Sequence, residues 1–390
     1  MGGHAFDTAG TSGEPAVAIA RLTVDQYKDV ASHTEQILRR FFDEVRILQG
    51  APEKLDHGDV DFLVRSRHQS LNATALKTAL SAVSYRVCGP ISNFAVPFAD
   101  SSGDVKHAQV DVQQCGANIA WLSCLQSYGD LWQILGTITR PFGLTVNDKG
   151  LFLRIKEGEA RDWQASMIAL SESPEAVISF FGMDWMVYEA GFTTLDQVFK
   201  WISSCRLLDV NAFGDTATEH RKRNIDTRPM FRRFMDGYIP TLQARETVLS
   251  RDDVLQEALQ YFDKHAEYES RHDNIMAENL DLEANALIVD ALKPPGEVSK
   301  NFNKNVNLAV RAIKRWTKLQ DGEMKLRVEP ELEAVQQLKL RELLSEERGR
   351  LKEEHVRWIK EHFDDLRSVE KQRIKEAKDA RQGSGSQVGS

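Results

Sequence analysis

Asp56-His57-Gly58-Asp59-Val60-Asp61-Phe62-Leu63-Val64 is the stretch on which the reading of this chain turns. From Asp59 it alternates polar and apolar and then runs apolar, the pattern of a strand with at least one buried face. Successive side chains of a strand point to opposite faces, so Asp59 and Asp61 project together. Two carboxylates side by side repel each other, and a bound divalent cation relieves that repulsion. Their oxygens are hard ligands suited to Mg²⁺ or Mn²⁺. Gly58, without a side chain, lets a ligand or another backbone come close to the first of them.

Working outward, Val45-Arg46-Ile47-Leu48 reads as a strand before a loop that runs from Gly50 to Gly58. Further strand candidates are Tyr85-Arg86-Val87, Phe94–Phe98 and Ala108-Gln109-Val110-Asp111-Val112. The last carries a lone carboxylate between apolar residues. If its strand lies beside the first, Asp111 completes a cage of three carboxylates. Two metals held about 3.5–4 Å apart by such a cage activate an attacking hydroxyl and stabilise a leaving pyrophosphate in an in-line displacement. In that scheme Asp59 and Asp61 bind both metals, and Asp111 binds the catalytic one and takes the hydroxyl proton.

The rest of the chain falls into segments. Residues 7–20 read as a loose Gly/Ala/Ser/Pro-rich arm, followed by an amphipathic helix over 24–42 and another over 73–83. The helical period returns over 128–138. Two alternating runs around Asn147-Asp148-Lys149-Gly150 then predict a hairpin over 144–155. Beyond about 157 the pattern predicts helices only, near 174–181, 194–205, 229–236 and 252–276. Pro294-Pro295-Gly296 punctuates the chain before a basic helix over 301–319 and a long Glu/Lys/Arg-rich helix over 331–380. Within the latter, Val356, Ile359, Phe363 and Leu366 keep a docking or coiled-coil spacing. The expectation is an α+β chain with a catalytic head over 1–156, a helical domain over 157–293, a helical C-terminal part over 294–381 and a disordered tail over 382–390.

The strand, the Gly-containing loop, the G-D-x-D at Gly58–Asp61 and the later Asp111 resemble the DNA polymerase beta-like nucleotidyltransferase superfamily. The closer resemblance is to nucleotidyltransferase-like proteins with a GG-x-A-F start and a K-x-D-H-G-D-x-D core. These appear here as Gly2-Gly3-His4-Ala5-Phe6 and Lys54-Leu55-Asp56-His57-Gly58-Asp59-Val60-Asp61. Ser127-Tyr128-Gly129-Asp130 and the 144–155 hairpin are similar to that group as well. The resemblance implies a mixed-sheet catalytic head flanked by helices. It also implies metal-dependent transfer of a nucleotide from an NTP, ATP among them, to a hydroxyl acceptor. Asp59, Asp61 and Asp111 would be the catalytic and metal residues, with Gly50, Lys54 and Gly58 binding the nucleotide. The superfamily usually has Gly-Ser before the D-x-D strand to hold the triphosphate. Gln49-Gly50 stands there instead, without the Ser hydroxyl, and Lys54 offers a point charge in its place. That departure keeps a second reading open: a non-catalytic nucleotide-binding or protein-interaction module. A third is a nuclease or phosphodiesterase, whose cage would activate water.

With 390 residues, 42% hydrophobic and 28% charged, the chain is long enough for a sizeable core. A net charge of -8 excludes a wholly basic nucleic-acid coat but permits local basic patches. Candidate patches are Arg221-Lys222-Arg223 with Arg232 and Arg233, with Phe231 or Phe234 available for base stacking, and Arg311, Lys314, Arg315 and Lys318 around Trp316. Each also reads as a solvated helix face. An RNA acceptor would need such a surface, and a protein partner would have the C-terminal helix. The four cysteines have no zinc or disulfide spacing and read as buried thiols. His57 and His107 read as solvated loop residues, Asp56 as a backbone cap, and Asp130 as a helix start. No signal peptide or membrane span is visible, so the expected setting is cytoplasmic or nuclear.

Overall fold

The computed structural model describes residues 3–8, 16–66, 72–211, 227–244, 249–294, 301–347 and 349–384, with side chains through 380. Arg221, Lys222, Arg223 and residues 385–390 of the expected tail lie outside the described residues. The chain divides into two compact units, Met1–Tyr268 and Glu269–Ser390. The expected boundary at 156 falls inside the first unit and that at 293 inside the second.

The first unit begins with β1 (Leu22–Thr23), α1 (Val24–Leu38), β2 (Glu44–Ile47), β3 (Asp56–His57) and β4 (Asp59–Arg65). After α2 (Ala73–Ala79) come β5 (Ser84–Cys88), β6 (Ile91–Ala99) and β7 (Val105–Gln114). Five of these strands form one mixed sheet in the order β2-β4-β7-β6-β5. The central pair, β4 and β7, is parallel, and the other pairs are antiparallel. Alternation decides the two faces. Val60, Phe62, Val64, Phe94, Val96, Val110 and Val112 point to one side and bury against Val30, Ala31, Ile37 and Leu38 of α1 and Leu76 of α2. On the opposite face Leu63 packs under Ile119 and Leu122 of α3 (Ile119–Gln126), which leaves the earlier part of that face open around Asp59 and Asp61.

α1 starts at a capping box, in which the Thr23 hydroxyl accepts from the Gln26 N–H and the Gln26 side chain accepts from the Thr23 N–H. The same residue pairs with the key stretch, because β1 and β3 are antiparallel partners with Leu22 opposite His57 and Thr23 opposite Asp56. The loop before Asp59 is thereby tied to the start of the helix that covers the sheet.

α4 (Leu131–Thr139) and the hairpin β8 (Leu144–Asn147) and β9 (Gly150–Arg154) lead into the remainder of the first unit. Asn147 closes the turn by accepting the Lys149 N–H at 2.8 Å. Strands do not stop here as expected: β10 (Met167–Ser171) adds to the hairpin in the order β10-β9-β8, where Ile168 and Leu170 alternate into the core. Further on are α5 (Lys156–Glu159), α6 (Pro174–Phe180), α7 (Trp185–Ala190), α8 (Leu195–Ser203) and a helix over Pro229–Arg232 that continues as a π-helical stretch through Tyr238. The helix expected over 252–276 is two, Arg251–Tyr261 and His265–Ala291, parted at Asp263 with φ 52°. One core holds this part together, built on Trp121, Trp132, Leu135, Phe181, Phe199, Ile202, Phe231 and Phe234.

In the second unit the helix Phe302–Trp316 runs into a hairpin of β11 (Thr317–Gln320) and β12 (Glu323–Leu326). Asp321 and Gly322 both take positive φ, the two-residue turn whose twist matches that of the strands. The expected single helix over 331–380 is corrected. Among the described residues, 331–352 hold a short 3-10 turn over Leu340–Leu343 and an isolated bridge between Leu344 and Leu351, and the helices are Glu353–Glu361 and Phe363–Ser384. Ile359 and Leu366 do bury, against Ile313, Leu340 and Leu343. Among the described residues no helix is long and apolar enough to cross a membrane.

Candidate metal centre

Register brings the carboxylates together. Asp61 on β4 is the direct partner of Asp111 on β7, and Asp111 is the direct partner of Asn93 on β6. Two residue pairs away, on the same face, Asp59 faces Gln109. One ligand oxygen from each of Asp59, Asp61 and Asp111 lies within 4.8 Å of the others, and all three side chains are half-buried. This is the convergence expected from sequence, and the donor set fits a hard divalent cation.

The electrostatics of the bare cluster point the same way. Burial, then the neighbouring charges of Asp59 and Asp111, push the Asp61 carboxyl up to about 7, against a smaller opposing pull from Lys54. Burial also raises Asp111, partly offset by hydrogen bonds from Asn93 and Gln109. Asn93 Nδ2 donates to Asp111 Oδ1 at 2.7 Å, and Gln109 Nε2 donates to Oδ1 and Oδ2 at 3.0 and 2.9 Å. Such second-layer donors fix a ligand's orientation without occupying the sites a cation would use.

Several residues belong to the site that the sequence reading left out. Tyr27 of α1 stacks on His57 with ring centroids 4.0 Å apart. Burial and the charges of Asp61 and Asp59 push its phenol up to about 12. His57 is therefore not a solvated loop histidine: it is buried, and that burial lowers its pKa. Asp56 is not a cap, since its carboxylate accepts from Arg21, with Nε at 2.8 Å, which lowers its pKa. Ahead of the arm expected to be loose over 7–20, the chain is packed: Phe6 is fully buried, and the Ala5 N–H donates to Gln109 Oε1 at 2.9 Å.

A cleft of about 1050 Å³ reaches two of the three carboxylates: it is lined by Asp59 and Asp61, by Gly50, Lys54 and His57, and by Thr227, Arg228, Met230 and Arg233. Gly50 and Lys54 thus share one cleft with Asp59 and Asp61. Lys54 forms no ion pair among the described residues. Gly58 is buried, and the backbone that approaches it is the chain's own arm: a Cβ on Gly3 would lie 2.5 Å from the Gly58 carbonyl oxygen. The loop around Gln49 is held by the 127–130 turn, with Gln49 N–H donating to Ser127 Oγ at 3.2 Å and Tyr128 N–H to the Gln49 carbonyl at 2.7 Å.

The basic-patch readings are corrected in part. Phe231 and Phe234 are fully buried core residues, unavailable for base stacking. Arg233 lines the cleft but is paired with Glu53 at 3.3 Å and Asp196 at 3.2 Å, while Arg232 is exposed. Asp130 does not cap α4 with its side chain; it accepts from Arg228 Nη1 at 2.8 Å and from the Phe231 N–H at 3.3 Å. In the second unit Arg315 and Trp316 turn inward onto buried Glu370. Cys124 and Cys205 are buried, but Cys88 is exposed and Cys115 half-buried, so the expectation of four buried thiols is corrected.

No protein-family model and no curated protein matches this sequence. Among solved structures, the chain is similar to Leishmania infantum polymerase beta in a ternary P/T complex, at a TM-score of 0.31 and 14% identity, over 43% of this chain and 74% of that one. It is similar to the same polymerase in a ternary gap complex at a TM-score of 0.31 and 13% identity, over 43% of this chain and 69% of that one.

Proposed function

We propose that this chain is a divalent-metal-dependent nucleotidyltransferase that moves a nucleotide from an NTP to a hydroxyl acceptor and releases pyrophosphate. The observation that carries the reading is the convergence of Asp59, Asp61 and Asp111 on neighbouring strands, with Asp59 and Asp61 lining a large cleft that Lys54, without an ion pair among the described residues, also lines. Asp59, Asp61 and Asp111 would hold Mg²⁺ or Mn²⁺. When bound, the metal supplies Lewis acidity at the phosphate and lowers the pKa of an attacking hydroxyl. Lys54 would take triphosphate charge, and the Gly50 backbone, with no side chain in the way, would let phosphate oxygens come close. Asp111, its carboxyl raised by burial, would accept the proton of the acceptor hydroxyl. Arg228, Arg232 and Arg233 stand as candidate contacts to a nucleic-acid acceptor, RNA included.

Pyrophosphate release from each of the four NTPs, with Mg²⁺ or Mn²⁺ and mixed RNA as acceptor, tests this. Release by the wild type that vanishes in Asp59→Asn and Asp61→Asn supports transfer. Shortened RNA without NTP selects hydrolysis instead.

A second reading, a nucleotide-binding or protein-interaction module without turnover, is favoured by one observation. The loop that would hold the triphosphate has Gln49 engaged through both backbone groups by Ser127 and Tyr128, and no hydroxyl at Gly50. Nucleotide binding without pyrophosphate release from any NTP would select it.

A further inference from the structure

Arg86 on β5 lies in the same cross-strand row as the metal-site residues. It pairs with Asn93, which pairs with Asp111, which pairs with Asp61. Arg86 does not reach the carboxylates. Its two terminal nitrogens donate to the carbonyls of Ala5 and Thr8, and its guanidinium lies over the Phe6 ring at 5.0 Å. A planar fork that holds two carbonyls and stacks on an aromatic face fixes a segment in orientation as well as position.

The segment it fixes has a consequence for Asp111. A side-chain amide has an oxygen end that accepts and a nitrogen end that donates, so its nitrogen can serve a carboxylate while another donor holds its oxygen in place. The Ala5 N–H meets Gln109 Oε1 at 2.9 Å, which leaves Gln109 Nε2 to donate to both oxygens of Asp111. Without that N–H, the described bonds that remain to the Gln109 amide are those to Asp111 itself, and its oxygen end loses the contact that fixes it. The arm also grips the site from the other side, where Gly3, with φ 88°, sits so close to the Gly58 carbonyl that no side chain fits between them.

We infer that the N-terminal arm, residues 3–8, is a positioning element of the metal centre. Arg86 clamps the arm, the arm orients Gln109, and Gln109 holds Asp111 as a ligand. The inference rests on the metal-site reading above. Its reach is specific: the arm sets how tightly the cluster binds a divalent cation, and Arg86 and Gln109 are positioning residues that touch neither metal nor substrate.

The test is Mn²⁺ binding to the full chain, followed by electron paramagnetic resonance of the free ion, with thermal melting as the control for folding. Losing an outer-layer partner typically weakens metal binding about ten- to hundredfold. That loss is expected in Arg86→Ala, in Gln109→Leu and in Gly3→Ala, where the added methyl forces the arm off Gly58. Gly3 lies outside the hydrophobic clusters, so this variant keeps the test open if Arg86→Ala fails to fold. Arg86→Lys, which keeps the charge but lacks the planar fork that stacks on Phe6, should fall between wild type and Arg86→Ala. Wild-type affinity in folded Gly3→Ala and Gln109→Leu, with binding lost in Asp61→Asn, would overturn the arm's role and leave the metal site standing. A wild type that binds no Mn²⁺ would overturn both.

Discussion

Asp61 and Asp111 are direct partners across the parallel strands β4 and β7, so their carboxylates share one face of the sheet. Parallel pairing imposes this juxtaposition whether or not a cation is bound. Without one the pair is frustrated, and Asp61 answers by holding its proton up to about pH 7.

That frustration has a measurable sign. The folded-state pKa of Asp61 is raised above its unfolded value, so between the two the native state binds more protons than the unfolded one. Its contribution to stability is therefore full below the unfolded value near 3.8 and is lost as pH rises through about 7. In EDTA the wild type should lose stability over that window relative to Asp61→Asn, with a slope approaching about 1.4 kcal/mol per pH unit. Chemical melts of both proteins from pH 4 to 8 measure it. Mn²⁺ should restore more stability at pH 7 than at pH 5, because protons and cations compete for the same carboxylate. Parallel pH curves for the two proteins would count against the clustered geometry.

Lys54 is exposed and forms no ion pair among the described residues, so its removal should leave the fold intact. A charge-assisted contact to phosphate is worth about 1.5–3 kcal/mol. Lys54→Ala should therefore weaken ATP binding about ten- to hundredfold, measured calorimetrically with Ca²⁺ or Mg²⁺ present, and shift the melting temperature little. Unchanged affinity would place the triphosphate elsewhere in the cleft.

How much of this was legible in the sequence follows from what each signal depends on. The pairing of Asp59 with Asp61 needs only the period of a strand, and Asp111 needs only the guess that its strand is a neighbour. Asn93, Gln109 and Arg86 depend on register across three strand pairs, which no local pattern reveals. Polar residues alternating along β6 and β7 look like any solvent-facing side. The packing of residues 3–8 is invisible in sequence because so short a segment carries neither a helical nor a strand period, and Phe6 gains its meaning only under Arg86. The break in the C-terminal helix was missed because charge density hid the absence of an apolar stripe over 331–352. The Asp321-Gly322 hairpin, by contrast, was there to be read: Asp-Gly between alternating residues is a strong turn signal, overlooked beside the helical period before it.

In the second unit Glu370 has no exposed surface and accepts from Arg373 Nε at 2.9 Å, from Trp316 at 3.3 Å and from Arg315. Burial alone would raise its pKa, but the hydrogen bonds from Arg373 and the charges of Arg315 and Arg373 outweigh it, and the pKa is lowered. Removing one partner of such a network strands the others, at about 3–5 kcal/mol. Glu370→Leu should show that loss in urea melts at pH 7. The loss should shrink as pH falls through the folded-state pKa of Glu370 and the wild type gives up the same interaction. A neutral effect at pH 7 would mean Arg315 and Arg373 find solvent when released.

Gly50 is the position at which the two functional readings separate. The nucleotidyltransferase pattern calls for a hydroxyl on this loop, and the chain has none. The backbone does not forbid one: Gly50 has no positive φ, and a Cβ there would meet only His57, at 3.6 Å from its Cε1, an ordinary contact. Gly50→Ser should therefore fold as the wild type does and present its hydroxyl to the cleft. If the triphosphate lies along this loop, one added hydrogen bond of about 1–2 kcal/mol to a charged phosphate should tighten ATP binding roughly five- to thirtyfold. In a transferase it should leave pyrophosphate release at least as fast as in the wild type. In a binding module it should tighten the nucleotide without creating turnover. Calorimetry and pyrophosphate release on the same preparation distinguish the two, and no change in affinity would show that the phosphates do not reach Gly50 at all.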